Sequence, residues 1–134
     1  MAIQPSHNKS KNFKGVGDLG SLQWSTIKKN ASTRNILFEI TIDQAWGLFE
    51  LQHRKCSYTG QILTLIALPG WAGRKNVTGS LDRIDSSKGY TVENCTWVHK
   101  DINRLKWDLA EDQIINLCNM VTNYQKEKEN AKQI

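Results

Sequence analysis

Residues 80–106, SLDRIDSSKGYTVENCTWVHKDINRLK, constrain this chain more than any other stretch. Thr78 to Asp85 alternates like a strand, Ser86 to Glu93 is rich in turn formers, and Cys95 to His99 alternates again. Lys100 to Lys106 then begins a helix. Asp82 lies near the first strand's end and Asn103 on the helix, twenty-one positions apart. Asn94 follows Gly-Tyr-Thr-Val-Glu at the mouth of the second strand. Its amide both donates and accepts hydrogen bonds, which suits it to tie the loop ends together.

The order Asp82-Arg83-Ile84, Asn94, then Asn103 nine residues later and Lys106 three beyond that, resembles the ββα-metal, or HNH, endonuclease family. The motif resemblance covers about residues 55–107, with a core near 78–107. A looser similarity to small stand-alone phage and bacterial members runs upstream from Gly17-Asp18-Leu19-Gly20 through Trp24 to Cys56-Ser57-Tyr58-Thr59-Gly60. The resemblance implies an α+β fold, a ββα-metal core with flanking helices. It also implies an endonuclease that hydrolyses DNA phosphodiesters to 5′-phosphate and 3′-hydroxyl ends, with Asp82 and Asn103 as ligands of one divalent ion. Magnesium keeps several waters and takes a few hard oxygens, so a carboxylate and a carboxamide suffice, and Mn²⁺ or another divalent ion is possible. Asn94 would order the loop. The expected partner is double-stranded DNA, contacted by Lys106, Lys100 and Arg104 and by Lys28, Lys29 and Arg34 of the basic front half.

Where the family carries its catalytic histidine, this chain has Arg83. A guanidinium stays protonated and is a poor base, but its fork matches two phosphate oxygens. Three routes remain open for the proton: His99, Tyr90, or activation of water by the ion itself. The alternative reading is a catalytically weak or inactive DNA-binding module on the same scaffold. An RNA-directed role is a third reading, without a recognisable aromatic stacking module.

Many HNH proteins brace the fold with paired Cys-x-x-Cys zinc ligands. Here Cys56-Ser57-Tyr58-Thr59 keeps only the first cysteine, and Val98 and Ile102 stand before and within the last helix of the motif. One thiolate cannot hold structural zinc, so none is expected and apolar packing by Trp97, Val98 and Ile102 takes over. Three widely spaced cysteines also make no disulfide framework, and they point to a reducing, intracellular setting.

The remaining sequence is consistent with a single domain over residues 15–134, preceded by a basic flexible arm over 1–14. At 134 residues and 39% apolar content the chain suits one modest core, and no run approaches the roughly 20 apolar residues of a membrane span. Net charge is +5, concentrated in front: residues 1–35 hold six basic side chains against Asp18 alone. Such a front suits a polyanion. The glycines at 15, 17 and 20 punctuate the entry to a helix over Leu22 to Arg34, capped by Ser21. Phe38 to Ile40 reads as extended. Thr41 and Gln44 make a capping box for a helix through about Gln52, with Ile42, Ala45, Trp46, Leu48 and Phe49 inward. Asp108 to Glu111 is a second possible capping box, opening a helix through roughly Tyr124. Nothing here decides between monomer and homodimer.

Overall fold

A computed structural model describes residues 13–67 and 73–133. Of the arm expected over residues 1–14, all but Phe13 and Lys14 lies outside the described residues, as does Leu68 at the end of the Ile62–Leu68 run. The described residues combine helices with two antiparallel two-stranded sheets, an α+β composition.

The entry glycines build more than punctuation. Strands β1 (Gly15–Val16) and β2 (Leu19–Gly20) pair as a minute hairpin. Gly17, at φ +56, turns the chain against Trp46, where an added Cβ would lie 2.0 Å from Cε2. Helix α1 (Ser21–Thr33) follows at once, and its first residue Ser21 donates its N–H to Lys14 O. Ser21 is therefore the first helical residue and not the expected cap; Gly20 occupies the cap position without a side chain to offer. Trp24 and Ala31 bury the inner face. At the far end Asn35 takes φ 55, and Ile36 donates to Ala31 O, closing the helix in the left-handed manner an asparagine tolerates.

Helix α2 (Ile42–Leu51) starts on the capping box read from the sequence: Gln44 N–H donates to Thr41 Oγ1 and Thr41 N–H to Gln44 Oε1. Ala45 and Phe49 are buried, with Ile42, Trp46 and Leu48 packed around them. Consecutive positive φ angles at His53 and Arg54 then turn the chain sharply. Arg54 is secured there by Asp18 at 3.4 Å and by the Trp46 ring at 5.4 Å. Leu63 and Leu65 dip into the core from an otherwise irregular segment, while Ile62 stays exposed.

Strands β3 (Gly79–Arg83) and β4 (Cys95–His99) pair antiparallel, Leu81 opposite Trp97 and Asp82 opposite Thr96. Trp97 is fully buried. It meets Phe49 edge-on at 5.6 Å and donates its indole N–H to Ala45 O, pinning β4 on α2. Helix α3 (Lys100–Lys106) returns across β3. Helix α4 (Glu111–Lys132) begins three residues after the expected cap Asp108 and ends eight beyond Tyr124. Among its described residues only Ile114 is buried, so its expected apolar face is mostly in solvent.

Candidate functional site

Side chains alternate along a strand, so Ser80 and Asp82 leave β3 on one side and Leu81 on the other. Helix α3 lies on the Ser80–Asp82 side, and two rungs join the elements. Asn103 donates its amide Nδ2 to Ser80 Oγ at 2.8 Å. Lys106 donates to Asp82 Oδ2 at 2.6 Å and to Arg83 O at 2.6 Å. Three residues of helix advance about 4.5 Å and two of strand about 6.6 Å, so Asn103/Lys106 and Ser80/Asp82 stay nearly in step. Asp82 and Asn103 therefore occupy the same side of the sheet, on adjacent rungs.

Lys106 corrects the sequence reading. The resemblance implies a contact with DNA, yet Lys106 is fully buried, with Asp82 at 7% exposure beside it. Burial pushes the Asp82 carboxyl up from its ordinary value; the Lys106 bond pulls the other way and compensates only in part. An ammonium in this place neutralises the carboxylate and fixes its rotamer against the strand.

Asn94 ties the loop as expected. Its Oδ1 accepts from Asp85 N–H at 2.9 Å, while Nδ2 donates to Asp85 O at 3.0 Å and Gly89 O at 2.9 Å. Within the loop, Ser87 donates both its N–H and its hydroxyl to Asp85 Oδ1, which holds that carboxyl below its ordinary value. Gly89 passes so close to Leu37 that a Cβ would sit 2.7 Å from Leu37 O. That approach lets Tyr90 and the 37–40 segment exchange backbone bonds, the extended stretch foreseen around Phe38.

Arg83 faces inward to this loop. One terminal nitrogen donates to Ser86 O at 2.7 Å and Lys88 O at 2.8 Å, and the guanidinium lies 5.4 Å from the Tyr90 ring centre. The arginine thus clamps the protein's own carbonyls.

The two side-chain bases proposed from sequence fare poorly. His99 precedes α3 as its cap, so it does not share a helical face with Asn103. Its Nδ1 accepts the Asp101 N–H at 3.1 Å, which puts the proton of a neutral ring on Nε2 and leaves no lone pair to take another. It also pairs with Gly79, on the alternate side of the pleat from Asp82. Tyr90 needed a lowered pKa from Arg83. Burial dominates and raises it instead, with Arg83 offsetting only part.

Among the basic residues expected at DNA, Lys28, Lys29, Arg34 and Arg104 are exposed, Arg104 lying 3.7 Å from Asp101. Lys100 is half-buried and donates to Lys75 O. Cys56 Sγ, in the Cys56-Ser57-Tyr58-Thr59 turn, accepts backbone N–H groups from His99 at 3.2 Å and Thr59 at 3.5 Å. Burial raises this thiol, but the hydrogen bonds outweigh burial and bring it below its ordinary value. Among the described residues no group of three or more histidine, cysteine or acidic side chains is placed to hold a metal.

Comparison with known proteins gave no match among protein-family models, curated proteins or solved structures. Two participants escaped the sequence reading. Ser80 carries the signal of its spacing, two residues before Asp82 as Asn103 is three before Lys106. Gln52, which brackets Trp97 by donating to its carbonyl and accepting from its N–H at 2.8 Å each, carries none, because forty-five residues separate them.

Proposed function

We propose that β3, β4 and α3 form the ββα-metal core of a Mg²⁺-dependent HNH-type endonuclease acting on double-stranded DNA. The observation that supports it best is the pair of rungs: Asp82 and Asn103 stand side by side behind a loop tied by Asn94. Asn103 spends its NH₂ on Ser80, which turns the amide oxygen into the remaining acceptor, and Asp82 brings a carboxylate. Two hard oxygens on one side fit magnesium, and these two residues would hold it. The ion supplies charge neutralisation at the scissile phosphate and activation of water.

The chain's own residues do the positioning. Lys106 fixes the rotamer of Asp82 and ties it to the strand through Arg83 O. Arg83 and Asn94 hold the loop in shape. Exposed Lys28, Lys29, Arg34 and Arg104 track the DNA backbone. With His99 and Tyr90 unsuited as bases, no side chain of this site is assigned to take the proton of the attacking water. The test is nicking of supercoiled plasmid in Mg²⁺ by the purified protein. Activity should vanish in Asn103→Ala and in the double variant Asp82→Ala, Asn103→Ala; nicking equal to theirs in the parent protein ends the catalytic reading.

A second reading has its own observation. Lys106 already neutralises Asp82, and Arg83 in place of the family's histidine is engaged with loop carbonyls. That favours a weak or inactive module that binds DNA. Arg83→His discriminates: a large gain in cleavage marks a degenerate site, and a loss marks an arginine with its own role.

A further inference from the structure

Helix α4 is held to the body of the protein only at its start. Its 22 residues span about 33 Å, and Ile114 in the first turn is its only buried residue. Beyond it Ile115, Leu117, Met120, Val121 and Tyr124 are 46–60% exposed. Ile114, Leu117, Val121 and Tyr124 recur at intervals of three, four and three, the seam along which one helix packs on another. A helix of this polarity draws most of its stability from burying such a seam, and beyond Ile114 no described residue covers it.

The charges along α4 say what covers it. Its first turn carries Glu111 and Asp112, whereas Lys126, Lys128 and Lys132 lie in its last two turns among two glutamates. Two copies side by side in parallel set acid against acid and lysine against lysine. Two copies in opposite directions set the acidic start of each beside the lysine-bearing end of the other, and oppose their helix dipoles. We propose that the protein forms a two-fold homodimer through antiparallel pairing of α4, with the axis near Asn119. In that register the exposed Leu117 meets the partner's Val121 and Val121 the partner's Leu117, a self-complementary contact as a two-fold requires.

A second feature fits the same occupant. Beside the start of α4 lies an open groove of about 590 Å³ lined by Ile84, Asp85, Ser86, Glu111, Asp112 and Ile115. Its lining combines the apolar Ile84 and Ile115 with the carboxylates of Asp85, Glu111 and Asp112. The register brings the partner's Lys126 and Lys128 alongside this groove. The seam and the groove are thus complementary to one helix end that the chain itself supplies.

The test uses the full chain. Sedimentation velocity across a concentration series should give a species of twice 15.3 kDa, and Leu117→Lys with Val121→Lys should return it to a single chain. Reversing one end (Glu111→Lys, Asp112→Lys) or the other (Lys126→Glu, Lys128→Glu) should abolish self-association, and mixing the two variants should restore it. Cys118 is the one exposed cysteine and sits next to the axis, so a short bismaleimide should join two chains through it, and not in Cys118→Ser. A monomer at every concentration overturns the proposal. A dimer insensitive to these α4 substitutions, or one that resists cross-linking at Cys118, overturns it equally. None of these readouts depends on nuclease activity.

Discussion

Replacing Asn94 by alanine removes three hydrogen bonds at one stroke, leaving Asp85 N–H, Asp85 O and Gly89 O without the partner they have now. The asparagine is 9% exposed, so water does not simply take its place. At about 1 kcal/mol net for each bond the loss is about 3 kcal/mol. That is a large share of the 5–15 kcal/mol that typically separates a domain from its unfolded chain. With a sensitivity of about 4 °C per kcal/mol for a chain of this size, the melting temperature should fall by about 12 °C. Aspartate sharpens the test. Asn94→Asp keeps the bond from Asp85 N–H but points a carboxylate at two carbonyl oxygens, so at neutral pH it should be no better than alanine. A carboxyl so placed has its folded pKa raised, so its contribution is present at low pH and lost as pH rises through that value. The aspartate variant should therefore gain on the alanine variant as the solution is acidified. Urea unfolding followed by circular dichroism, run at several pH values, measures both. An alanine variant within about 1 kcal/mol of the parent, or an aspartate variant as stable as the parent at neutral pH, refutes the account of the loop.

Lys106→Met strands a buried carboxylate and should cost about 3–5 kcal/mol, whereas Lys106→Met combined with Asp82→Leu should recover most of it; equal melting temperatures for the two refute the ion pair's role. Mass spectrometry after brief alkylation should find Cys118 modified first and Cys95 last, because burial pushes the Cys95 thiol up to about 12; early labelling of Cys95 contradicts its placement. Burial likewise pushes the Tyr58 hydroxyl up to about 12, so the folded state holds a proton that the unfolded chain releases near 10. Stability should decline between those values, less steeply in Tyr58→Phe, and parallel curves in the two proteins would exclude the effect.

The legible parts of this fold were those written in short-range spacing. The capping box at Thr41 and Gln44, the span of β4 and the loop role of Asn94 all depend on residues within about ten positions, and the structure has them as read. Lys106 was misjudged because a lysine on a short helix looks solvated until a strand twenty-four residues away supplies a carboxylate. His99 stands where the sequence puts it, at the end of β4, but its ring accepts the Asp101 N–H at the start of α3, a local bond that spacing alone does not reveal. Tyr90 failed for a reason of competing magnitudes: the neighbouring arginine was visible in sequence, but the depth of burial that outweighs it was not. The apolar stripe on α4 is visible in the sequence, but periodicity reports amphipathicity, not whether the covering surface belongs to the same chain.

A sheet of two strands has two raw borders, each able to recruit a stranger's backbone. Gln52 closes one of them. Its side chain offers Trp97 an oxygen and an NH₂ group, as a neighbouring strand would, and takes the Thr96 hydroxyl as well. On the other border Thr64 O receives the N–H groups of Thr78 and Gly79. The Gln52 amide, together with the Ser57 N–H on Trp97 O and Cys56 Sγ on the His99 N–H, thus stands in for a missing strand and shields this small sheet from edge-to-edge growth.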